Sequence, residues 1–97
     1  MKTMISLLVI FILYTPAWGA DPKAGAAKAV TCAACHMTTG CSVNPIWPNL
    51  ANQHEIYLLK QLKDIKSGSR KVPEMIPFMA ALNSKDLENI AAHFAGL

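Results

Sequence analysis

Apolar positions recur along this chain at helical spacing. Leu58, Leu62 and Ile65 fall on one face of a helix expected from Asn52 to about Ser67, with Leu59 beside them. Asn52 is the expected N-cap, with Glu55 placed for a capping box, and Gly68 ends the helix. A second stripe of Leu87, Ile90, Ala91 and Phe94 predicts a helix over Lys85 to Ala95 with Ser84 as its cap. Asp21-Pro22 opens a third helix, Lys23 to about Val30, with Asp as N-cap and Pro in the first turn. Gly25 inside it weakens the helix and marks close approach of another element. Thr38 to Asn49 and Ser69 to Leu82 read as loops, punctuated by Gly40, Pro45, Pro48, Pro73 and Pro77. No stretch alternates with strand period, and no repeat or low-complexity segment interrupts the chain. The expected fold class is all-α.

Ahead of these helices runs a different pattern. Met4 to Tyr14 is uninterrupted apolar or small, preceded by Lys2 and followed by Pro16. Ala17 and Gly19 supply small residues before a cleavage point, so residues 1–19 read as a cleaved signal peptide and 20–97 as one domain. The run is shorter than the ~20 residues of a membrane span. The segment inflates the hydrophobic content of 53%, and the formal net charge of +3 falls by one when Lys2 is removed. So small a charge, with no basic tail, gives no support to nucleic-acid binding. The remaining domain is small enough that its own core is marginal, and domains of this size commonly rely on a staple.

Cys32-Ala33-Ala34-Cys35-His36 supplies one. C-x-x-C-H is the attachment sequence of a c-type haem. Cysteines three apart lie on one side of a helical turn, from which both sulfurs can form thioethers with the vinyl groups of one porphyrin. His36 is then carried under the ring as an iron ligand. C-x-x-C also marks thioredoxin-like and zinc sites. The first needs a strand–helix–strand setting that the pattern lacks. The second needs four ligands, and the 3 Cys and 3 His include no second C-x-x-C, with His54 and His93 scattered. For the other face of the iron the candidates are Met75, Met79, Met37, His54 and His93. Met37 adjoins His36 and cannot reach it. His54 reads as a polar residue of a first turn, and His93 as packing or surface. Met75 and Met79 both sit on the proline-stiffened loop. Lone methionines are usually core filler, and composition does not separate these two.

Nearly all of 20–97 resembles a class I c-type cytochrome, most closely a single haem domain of the bacterial cytochrome c₄ type. The resemblance rests on Asp21, Ala24-Gly25, the haem motif, Trp47-Pro48-Asn49-Leu50, the run from Gln53 to Gly68, and Asp86 to Phe94. It implies a class I cytochrome c fold, with N- and C-terminal helices crossing and one covalently bound haem c. It also implies haem attachment outside the bacterial cytoplasm, hence a periplasmic protein. In that family the axial methionine precedes the leucine at the Leu82 position by seven residues, which selects Met75 and leaves Met79 as the alternative. Pro48 resembles the proline whose carbonyl receives the proximal histidine's Nδ1–H. Gly25 and Phe94 resemble the helix crossing, and Tyr57 reads either as packing near the porphyrin or as a core aromatic. The chain departs from the pattern in holding one haem domain, in His93 where Tyr is usual, and in Cys41 where a polar residue is common. Cys41 is then an odd thiol in an oxidising compartment, read either as a tolerated free cysteine or as a disulfide link to a second copy.

The function expected is outer-sphere transfer of single electrons between protein redox partners, through a His/Met-ligated haem. No nucleophile, base or substrate pocket is read, so the chain is not expected to be an enzyme. Lys60, Lys63, Lys66, Arg70 and Lys71 form a basic stripe, either a solvated face with Lys60 paired to Asp64 or a docking rim for acidic partners. The alternatives are a cytochrome subunit of a larger dehydrogenase or reductase, and a five-coordinate ligand-binding haem protein.

Overall fold

The Asp21 carboxylate starts the first helix by accepting the backbone N–H groups of Lys23 at 2.9 Å and Ala24 at 3.3 Å. Pro22, with no N–H to leave unpaired, follows in the first turn. This is a computed structural model, and it describes residues 2–5, 8–10 and 19–97. The expected signal peptide therefore falls largely outside the described residues. Helix α1 (Pro22–Lys28) tightens into a 3-10 turn (Ala29–Cys32) and continues as the single turn α2 (Ala33–His36). A long loop leads to α3 (Glu55–Ser67). After a second loop come a 3-10 turn (Pro73–Met75), the short α4 (Ile76–Met79) and α5 (Ser84–Ala95). The fold is all-α, with no strand among the described residues.

Two helix starts differ from the sequence expectation. Asn52 does not cap α3. Its φ of 58° is left-handed, and its N–H is spent on the Phe94 carbonyl at 3.1 Å. The helix begins at Glu55 with His54 as N-cap, making no side-chain cap bond. At α5 the cap is Asn83 rather than Ser84. Asn83 Oδ1 accepts the Asp86 N–H at 2.9 Å, and Asp86 Oδ2 accepts the Asn83 N–H at 3.0 Å. A carboxamide one residue earlier completes a reciprocal box with Asp86, whereas the Ser84 hydroxyl lies inside the first turn. The second loop also holds more helix than its prolines suggest, because Pro73 and Pro77 each fall in a first turn, where proline is tolerated.

α1 crosses α5 at close range. A methyl group at Gly25 would overlap the Asn89 carbonyl, so only glycine lets the backbones meet. Polar links hold the same joint. The Asp21 N–H donates to Asn89 Oδ1 at 2.8 Å, and Lys28 reaches Asp86 at 3.8 Å. The other face of α5 presents Leu87, Ile90, Ala91 and Phe94 to Leu58 and Ile65 of α3, with Ala29, Met79 and Leu82 completing one buried cluster. Burying a side chain such as Ile90, which is 1% exposed, contributes about 1.5–3 kcal/mol. The cluster is closed on the α1–α5 side and open on the other, where it forms one wall of a cavity.

Candidate functional site

The cavity has a volume of about 390 Å³, within the range typical of small-molecule and cofactor sites. Its walls come from every part of the fold except α1. α3 supplies Leu58, Leu62 and Ile65, α5 supplies Ile90, Ala91 and Phe94, and the second loop supplies Val72, Met75, Phe78, Met79 and Leu82. Cys32, Cys35 and His36 line it from the remaining side, facing these apolar walls.

The helical run from Pro22 to His36 brings the motif to the wall, and two unusual backbone positions keep it there. Met37, directly after His36, adopts φ 63°. For a residue other than glycine such a conformation costs roughly 1–3 kcal/mol, and it ends the helix where the histidine must stand. Gly40, at φ +72°, then packs its backbone on Ala51. Its carbonyl accepts Leu50 N–H at 2.7 Å and Ala51 N–H at 3.1 Å. Asn49 Oδ1 accepts the Ser42 N–H at 2.7 Å inside the same loop. The closed loop returns Pro48 to the motif. There the His36 Nδ1–H donates to the Pro48 carbonyl at 2.8 Å. His36 is 6% exposed, so this bond fixes its ring and its tautomer and leaves Nε2 with the free lone pair. Cys32 and Cys35 are partly buried thiols. Burial pushes the Cys32 thiol above its ordinary range, against smaller opposing hydrogen bonds from Thr31 and the backbone.

The structure divides the other candidate residues cleanly. Met75, Met79, Pro48 and Tyr57 line the cavity; Met37, His54, His93 and Cys41 do not. Met37 ends the motif's helix with a positive φ, His54 caps α3, and the His93 ring lies 4.9 Å from that of Phe94. Met79 is 4% exposed and belongs to the buried cluster, whereas Met75 packs at the cluster's edge, partly exposed. Cys41 is exposed.

Of the basic stripe, Lys60 pairs with Asp64, Lys66 donates to the Met79 carbonyl at 3.0 Å, and the Arg70 guanidinium donates to Gln61 Oε1 at 2.8 Å. Arg70 and Gln61 line the cavity. Neither stood out in the sequence as a cavity residue. The available signal was the place of Gln61 beside Leu58, Leu62 and Ile65 on the helical wheel.

These walls fit a haem. A large apolar void is bordered by paired thiols three residues apart, by a buried imidazole with its Nδ1 already engaged, and by thioethers on the facing loop. Such donors are those of covalent haem attachment and soft axial ligation.

Comparison with known proteins agrees. The cytochrome c family model matches residues 23–97. The chain is 48% identical over 95 residues to cytochrome c4 of Pseudomonas aeruginosa, covering 97% of this chain and 47% of that one. Cytochrome c-554(548) of Halomonas halodenitrificans is 38% identical over 78 residues, covering 77% of this chain and 94% of its own. The crystal structure of reduced recombinant cytochrome c4 from Pseudomonas stutzeri superposes with a TM-score of 0.76 at 46% identity, covering 79% of this chain and 45% of that one. The chain thus spans about half the length of the cytochrome c4 relatives it matches. Fold, cavity and matches together make it a member of the cytochrome c family, with the class I fold and covalently bound haem c.

Proposed function

We propose that this chain is a periplasmic carrier of single electrons with one haem, and that residues 1–19 are the signal peptide that exports the domain 20–97. The observation that carries the reading is the buried His36 held through Nδ1 by the Pro48 carbonyl at 2.8 Å, on the wall of an apolar cavity that also presents Cys32 and Cys35. In this reading Cys32 and Cys35 anchor the porphyrin, and His36 offers Nε2 to the iron. The bound haem supplies a ferric/ferrous couple. The Pro48 bond keeps His36 in one tautomer and raises its basicity. Met75 serves as the second ligand, supported by its place at the end of the 3-10 turn, at the edge of the core and on the cavity lining. Met79, its alternative, packs with Leu82 and Leu87 as core. A thioether and an imidazole together on the iron would favour its reduced form. Leu58, Leu62, Ile65, Ile90 and Phe94 keep water from the centre, so little reorganisation accompanies each electron.

Mass spectrometry of the protein from periplasm is expected to show loss of the first 19 residues and one covalent haem on the peptide holding Cys32 and Cys35. Reduced protein is expected to bind carbon monoxide poorly. A chain without haem would overturn the reading, and ready carbon monoxide binding would overturn the second ligand.

A second reading, a relay subunit of a dehydrogenase or reductase, draws on apolar side chains left exposed on the cavity lining: Ile46 is 75% and Phe78 44% exposed. Co-purification of a stoichiometric partner after gentle lysis would favour it.

A further inference from the structure

The second loop carries Met75, yet its own backbone holds it weakly. Pro73 and Pro77 have no N–H to give. Its two helical pieces, Pro73–Met75 and Ile76–Met79, are each too short to be stable in water by themselves. The remaining backbone bonds are local, from the Met75 N–H to the Val72 carbonyl at 3.0 Å and from the Leu82 N–H to the Met79 carbonyl at 3.1 Å. Met79 and Leu82 are buried in the core cluster, and Val72 and Met75 pack on its edge. Apolar burial of this kind pulls the loop inward but is non-directional.

Among the described residues, one hydrogen bond joins residues 71–82 to another element. Lys66, in the last turn of α3, donates from Nζ to the Met79 carbonyl at 3.0 Å. That carbonyl then has both lone pairs filled, one by the Leu82 N–H and one by an ammonium. The ammonium makes the stronger bond, because the donor is charged. Met79 is 4% exposed, so little water is at hand to take the place of Lys66. The ion pairs among the described residues are Lys28–Asp86, Lys60–Asp64 and Lys85–Glu88, so no carboxylate competes for Lys66. α3 is itself anchored by the buried Leu58 and Ile65, so the bond ties the loop to a packed element. Met75 runs directly into α4, and the bonded carbonyl closes that single turn.

We propose that Lys66 is a positioning residue that clamps the second loop to α3 and so keeps Met75 at the site. It acts from outside the cavity, through the Met79 backbone, and is set apart from the docking stripe. The inference rests on the reading of Met75 as the second ligand. Without the clamp the loop keeps its apolar packing but opens more often, and each opening carries Met75 away from the site.

The test is the rate of cyanide binding to the ferric holoprotein at neutral pH, followed in the visible spectrum. Cyanide enters a six-coordinate haem only when the protein ligand lets go, so its rate reports the opening of the loop. Lys66→Met keeps the apolar stem and removes the donor. It is expected to retain the far-red methionine–iron band and to bind cyanide about fivefold faster than the wild type. Lys66→Gln, shorter and uncharged, should show the same rise. Lys66→Arg, able to donate again, should return the rate close to that of the wild type. Loss of a positive charge by itself slows an incoming anion, so a faster rate has the opposite sign to a charge effect. Lys63→Gln, which removes a neighbouring charge, and Asp21→Ala, which destabilises α1 by removing its cap, should bring no acceleration. Hydrogen exchange of the Leu82 amide should quicken in Lys66→Met, with the Gly25 amide unchanged. Wild-type rates in both Lys66→Met and Lys66→Gln would overturn the proposal. So would an acceleration shared by Asp21→Ala, or one that Lys66→Arg fails to reverse. A wild-type protein without the far-red band would instead overturn the methionine ligand on which the inference stands.

Discussion

The joint between α1 and α5 and the wall formed by α3 with the second loop are built on opposite principles. The joint is closed by the protein alone. Gly25 meets the Asn89 backbone, Asn89 holds the Asp21 N–H, Lys28 reaches Asp86, and Asn83 caps α5 reciprocally with Asp86. The wall is apolar on its inner side and faces a cavity of about 390 Å³. Leu62, Val72 and Met75 there are only partly covered by protein. The joint is a finished piece of protein interior, whereas the wall is one side of an interior whose other side is the cofactor. A domain this small needs both: the joint to set the topology, the haem to fill the centre.

The comparison breaks hardest at Cys32 and Cys35, the cysteines proposed to anchor the haem. Cys32→Ala with Cys35→Ala is expected to abolish covalent haem, read as complete extraction of pigment into acidified organic solvent. The wall then has nothing to pack on, and far-UV circular dichroism should fall as α3 loses support. Retained covalent haem would show that the wall does not depend on these residues. Gly25→Val attacks the joint instead. Its clash is with backbone, so relaxation is limited, and a loss of about 3 kcal/mol is expected in denaturant unfolding, with an unchanged visible spectrum in the folded fraction. An unaffected midpoint would mean that the helices are not in contact there.

Smaller effects separate finer features. Asn83→Ala removes one arm of the α5 capping box and should cost about 1 kcal/mol, while Ser84→Ala should cost a few tenths. Equal costs would restore Ser84 as the cap. Lys63→Gln with Lys71→Gln should leave stability within about 0.5 kcal/mol. It should slow electron transfer with an acidic partner a few-fold at low ionic strength and not at high salt. A salt-independent rate would make the stripe ordinary surface.

The joint and the wall were not equally legible in the sequence. Periodicity located α3 and α5 because their apolar stripes are long enough to declare a face, and Asp21-Pro22 located α1. The local pattern points to caps at Asn52 and Ser84, whereas the structure uses His54 and Asn83, because the competing bonds are tertiary or one residue removed. The Asn52 N–H is taken by Phe94, far along the chain, and Asn83 stands beside an equally suitable serine. The short helix Ile76–Met79 was hidden by prolines that break helices except in a first turn. At the site, C-x-x-C-H is local chemistry and reads directly. What the pattern does not carry is which side chains converge on a cavity from separate elements. Along the chain Arg70 reads as one more charge beside the lysines, and only the fold turns its guanidinium toward Gln61.

The central proposal is that Met75 completes the site opposite His36. The most direct measurement is the far-red charge-transfer band of methionine-ligated ferric haem, recorded for wild type, Met75→Ala and Met79→Ala. The band should be present in the wild type and absent from Met75→Ala. Met79→Ala should keep it while losing about 2–5 kcal/mol of stability, as expected for truncating a buried core side chain. A band that survives in Met75→Ala and disappears in Met79→Ala would contradict the assignment and move the ligand to Met79.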